Sequence, residues 1–162
     1  RGVNILDPQE LLQCAQDTSE EGRHRLAKAV SQFFDERKLT DPEKDLASDI
    51  LLNLIRQAEV DLRAALSERL SVQANVPPEL VVYLANDQIS VAKHVLVHSP
   101  VLNDVDLIYI IASKGQDHWR TIAKRAALSP TVADRLVDTG DAGTVTNLID
   151  NQRLNLQKST MK

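Results

Sequence analysis

Two stretches decide the fold of this chain. Val91-Ala92-Lys93-His94-Val95-Leu96 leads to Ser99-Pro100, and Thr121-Ile122-Ala123-Lys124-Arg125-Ala126 leads to Ser129-Pro130. Both set apolar residues at helical spacing ahead of a Ser-Pro step, and they recur after roughly thirty residues. A related helix, Glu59-Val60-Asp61-Leu62-Arg63-Ala64-Ala65-Leu66, precedes them. Helices of about ten residues cannot bury an apolar stripe alone, so their repetition predicts a stack in which each pair covers the next.

Working outward, helix starts are written along the whole chain. Asp7-Pro8-Gln9-Glu10 and Asp41-Pro42-Glu43-Lys44 each combine an acidic cap with a first-turn proline, and Thr18-Ser19-Glu20-Glu21 supplies a start between them. The helix after Ser19 carries the stripe Leu26, Ala27, Val30, Phe33, Phe34. The helix after Pro42 is expected to bury Leu46, Ile50, Leu51, Leu54, Ile55 and Ala58. Asn75-Val76-Pro77-Pro78 turns a corner inside a continuous stack. Beyond it, three pairs are expected at 78–86 with 89–98, 104–113 with 116–127, and 130–139 with 141–151, the last divided by Thr139-Gly140-Asp141. Ser99-Pro100 makes a turn before Asn103-Asp104 caps the next helix, and no segment alternates with period two.

The fold expected is therefore all-α: an α-α superhelix of stacked antiparallel pairs, with about ten helices. Residues 1–75 form its longer-helix part, 76–157 the short repeats continuous with it, and 158–162 a polar tail. Composition agrees. Aromatics are only 3% of 162 residues while hydrophobic residues are 43%, so Leu, Ile, Val and Ala must build the core.

Net charge is −4. Residues 1–75 hold 10 Lys and Arg against 14 Asp and Glu, and residues 76–162 hold 9 against 9. The excess acid lies in the first half, which disfavours general nucleic-acid binding and leaves room for basic patches in the second. Cys14 is the only cysteine and reads as a small apolar helix residue. No apolar run reaches the roughly 18 residues that span a bilayer, and a cytoplasmic setting without membrane attachment is expected. The chain opens on Arg1 rather than Met and has no polar capping helix at its end, so a piece of a longer protein is expected.

The phrase Glu59 to Leu66 resembles the second helix of HEAT repeats, in which an acid, an apolar residue and an arginine stitch neighbours. More of the chain resembles a bacterial family, domain of unknown function 2336. The likeness runs through Asp49-Ile50-Leu51-Leu52, Ala58-Glu59-Val60, Ala92 to Pro100, Asp104-Val105-Asp106-Leu107-Ile108 and Ala123 to Pro130, within roughly residues 20 to 155. It implies a HEAT-like array, an alphaproteobacterial source and a longer parent protein. It carries no reaction and no catalytic motif.

Candidate chemistry is sparse. His94 and His98, four apart on one helix, could chelate a metal if a third ligand such as His118 joined them, but two edge histidines that pack explain the spacing equally well. No metal or cofactor is expected. Trp119 belongs with Ile122 and Ala123 in the core, and Asp134, Asp138 and Asp141 read as caps and surface charge. Lys93, His94, Arg120, Lys124, Arg125 and Asn147 fall on second helices, which in such arrays line one concave surface. They form a candidate basic ridge for docking. The leading expectation is a non-catalytic protein-protein interaction scaffold, regulatory or signalling, that binds another protein and has the option of self-association. The alternative is nucleic-acid or phosphate-ligand binding through the same ridge. An enzyme of the helical-repeat lyase or glycosylase kind would need a pocket carboxylate with aromatic support, which this composition hardly supplies.

Overall fold

The computed structural model describes residues 3–36 and 38–160, and these are all-helical without a strand. The ten helices are α1 (Pro8–Ala15), α2 (Glu20–Glu36), α3 (Asp41–Gln57), α4 (Val60–Leu70), α5 (Pro78–Ala85), α6 (Ile89–His98), α7 (Asp104–Ser113), α8 (Gln116–Ile122), α9 (Pro130–Asp138) and α10 (Ala142–Thr160).

Local chemistry sets most of the starts. Asp7 accepts from the amides of Gln9 and Glu10, and Ser129 from that of Val132. Asn103 and Asp106 close a capping box on α7. On α3 the box belongs to Thr40 and Glu43, one residue ahead of the expected Asp41 cap, because the threonine hydroxyl reaches the Glu43 amide while the glutamate returns to Thr40. Gly140, at φ 70°, takes the left-handed turn between α9 and α10 that a side chain would strain.

Two rows of helices share one core. Even-numbered helices pack in unbroken succession, α2 on α4, α4 on α6, α6 on α8 and α8 on α10. Odd-numbered helices pack as α1 on α3, α3 on α5, and α7 on α9, without comparable packing of α5 on α7. Leu66, Leu80, Leu84, Val95, Leu96, Ile110, Ile122 and Leu136 are sealed between the rows. Burying side chains of this size stabilises by about 2 kcal/mol each. Leu46, expected inside, is 49% exposed: it sits on the far side of α3 from Ala47, Leu51, Leu54 and Ile55.

Two helices differ in length from expectation. α8 stops at Ile122, although Ala123 to Leu128 are good helix formers. The reason is tertiary. Asn151 of α10 donates to the carbonyls of Ala123 and Arg125, and Asn155 to that of Ala126, taking the acceptors that a continuing helix would use. α10 runs to Thr160, past the expected end at 151 and into the segment expected as a polar tail, whose last two residues lie outside the described ones.

Candidate functional site

Charge is sorted by row. The five odd helices carry ten Asp and Glu against three Lys and Arg, and the five even helices carry eight against nine, together with all four histidines. Halves of the chain are therefore the wrong unit for its acidity. The helical face is the right one, because alternate helices of a two-row stack expose opposite sides.

Within the even row, Arg23, Arg63 and Arg120 are committed to holding neighbours together. Arg63 grips Asp87, just ahead of α6, with Nε and Nη2 at 2.7 and 3.1 Å, while its Nη1 caps the Ala58 carbonyl at 2.7 Å. Asp87 in turn raises the pKa of the guanidinium. Arg120 repeats the fork on Asp141, ahead of α10, at 2.8 and 3.0 Å. Arg120, together with the Thr144 hydroxyl and amide, holds the Asp141 carboxyl far below the usual carboxylate range. A looser version joins Arg23 of α2 to Glu59 at 3.8 Å. Each rung lets the acid at one helix N-terminus favour the dipole there and orient the arginine of the preceding helix. At the α6–α8 junction no such ion pair forms among the described residues. His118 contacts the Asp87 carbonyl through Nε2 at 2.9 Å, and Arg125 donates to the carbonyls of Leu96 and Ser99, both at 2.7 Å.

These bonds redistribute the candidate ridge. Arg120 is half exposed in its rung, Arg125 is partly buried against α6, and Asn147 spends its amide on the Arg120 carbonyl at 2.9 Å. Lys93 and Lys124 are exposed and make no side-chain hydrogen bond or ion pair among the described residues. His94 is half-buried on α6, where burial lowers its pKa against the opposing pull of Glu68. His98 is exposed at the end of that helix, whereas His118 is buried beside its beginning. Ten residues of helix, about 15 Å, separate His118 from His98 and keep it from completing a site with that residue. No group of three or more potential metal ligands is assembled among the described residues. Trp119 is partly buried and donates its indole N–H to the Ile111 carbonyl at 2.8 Å.

Several residues that matter here went unread in the sequence. Lys28 and Arg69, exposed and without ion partners among the described residues, line a shallow depression between α2 and α4 with His24, Arg25, Glu20 and Glu21. They were hidden by averaging charge over the first half. Asn151 and Asn155 continue at four-residue spacing from Asn147 of the candidate ridge, yet only the fold reveals the carbonyls they serve. No helix among the described residues is long and apolar enough to cross a membrane.

No curated protein and no solved structure matches the chain. Residues 91–162, from α6 to the end, match the model of a family described as an uncharacterised protein conserved in bacteria, domain of unknown function 2336, and are similar to it over that stretch.

Proposed function

We propose that the chain is a non-catalytic scaffold with a HEAT-like array, working in the cytoplasm of a bacterium, alphaproteobacterial by the resemblance above. Its even-row surface docks an acidic segment of another protein. The observation that carries this reading is the set of exposed cations without ion partners, Lys28, Arg69, Lys93 and Lys124, on successive even helices and the turn after α8. Arg23, Arg63, Arg120 and Arg125 of the same row are occupied in contacts between helices, whereas these four charges remain for a partner. Cations arranged on a rigid face raise encounter rates and select acidic surfaces.

Reversing Lys93 and Lys124 to glutamate tests the reading, since both lie outside the rungs. Crosslinking in the native host should lose its specific acidic partner, while the circular dichroism melt stays unchanged. Retained crosslinking to the same partner would overturn it. The phosphate reading predicts instead salt-sensitive retardation of DNA or RNA near ~100 mM salt. The acidic odd row weighs against that outcome.

A further inference from the structure

The odd row carries an exposed apolar stripe. Helix α7, Asp-Val-Asp-Leu-Ile-Tyr-Ile-Ile-Ala-Ser, is apolar all round after its first turn. Leu107, Ile110 and Ile111 face the core. On the opposite side Val105, Tyr109 and Ala112, spaced four and three residues apart, form one uncovered stripe, with Val105 75% and Tyr109 65% exposed. A helix with apolar residues on every side is one that expects cover on every side. Its neighbour α9 is more mixed, with Thr131, Asp134 and Asp138 outward beside Val137. Both tyrosines of the chain, Tyr83 on α5 and Tyr109 on α7, are exposed on odd helices, and tyrosine is among the side chains that anchor interfaces.

We infer that this stripe seats a basic amphipathic helix of a partner protein. Charge complementarity selects the occupant. The odd row holds ten acids against three bases, and Asp134 and Asp138 on α9, the helix of the row packed against α7, form no ion pair among the described residues. Lysines and arginines flanking an apolar seam on the incoming helix would meet those carboxylates while the seam covers Val105 and Tyr109. A helix fits better than an added strand, because no strand edge exists among the described residues. A second copy fits poorly, because a two-fold interface would set this acidic surface against itself. The surface lies on the other row from the four cations invoked above, so the two inferences stand or fall separately.

The test is selection of a phage-displayed library of 20-residue peptides on the 162-residue chain. The expected winners are cationic, with apolar residues at three- and four-residue spacing. Their affinity should drop about tenfold or more in the Val105→Ser, Tyr109→Ser double variant. Both sites are exposed, so the variant should keep its helical circular dichroism, and the Lys93→Glu, Lys124→Glu chain should bind the peptides unchanged. Acidic or uncharged winners, or binding indifferent to the α7 substitutions, would overturn the inference. So would a concentration-dependent dimer, seen by light scattering, that Tyr109→Ser dissolves.

Discussion

The two rows of this stack are built from similar cores and opposite surfaces. Along the even row, side chains cross from each helix to the next: the Arg63–Asp87 and Arg120–Asp141 forks, Ser67 to the Val91 carbonyl at 2.6 Å, and the asparagines of α10. Along the odd row, cross-helix bonds are few. Ser48 to Glu79 at 3.1 Å is one, and Asp45, Asp49, Asp134 and Asp138 of that row enter no ion pair among the described residues. Polar groups that join neighbours cannot also serve a partner. The difference therefore separates a face that holds the array together from one left free of that duty.

Breaking a rung should produce the largest effect. Arg63→Ala strands the Asp87 carboxylate, which is only 12% exposed, and uncaps Ala58. A loss of about 2 kcal/mol in urea unfolding is expected. Arg63→Lys should recover only part of it, because an ammonium cannot reproduce the fork. A loss under about 0.5 kcal/mol would remove the even row's special standing.

A smaller effect follows from acid. His118 is 8% exposed and burial lowers its pKa, and His94 shifts the same way for the same reason. A histidine depressed in the folded state takes up its proton more readily when unfolded. Its contribution is thus complete above the unfolded value near ~6.5 and is lost as pH falls below it. Unfolding free energies from urea titrations between pH 7.5 and 5.5 should decline, by at most about 1.4 kcal/mol per pH unit for each group. In His118→Gln the slope should be shallower. An unchanged slope would mean that other groups drive the decline.

The smallest effect belongs to the odd row. Asp49→Asn and Asp134→Asn remove exposed charges that form no ion pair, and each should move stability by no more than about 0.5 kcal/mol. Any change should be towards greater stability, since each charge repels its own row. A loss comparable to that of Arg63→Ala would erase the contrast between the rows.

Much of this architecture was legible in the chain. Caps at Asp7, Asn103 and Ser129, prolines at first turns and the apolar stripes placed all ten helices in order. What could not be read was the use made of particular polar residues. Arg120, Lys124 and Arg125 look alike along the sequence. One is a rung, one is exposed, and one is inserted between carbonyls of α6. Leu46 looked like a core leucine and faces outward, because its helix presents only one side to α5.

The helices and their pairing follow from local pattern, since capping bonds and apolar periodicity act within a few residues of one another. Where α8 ends, which cations remain available, and the sorting of acid and base by row rather than by half all arise from packing. Those outcomes depend on groups 21 to 31 residues apart, such as Arg120 with Asp141 and His118 with Asp87, meeting across a packed interface. No local pattern encodes which carbonyl or carboxylate will be waiting there.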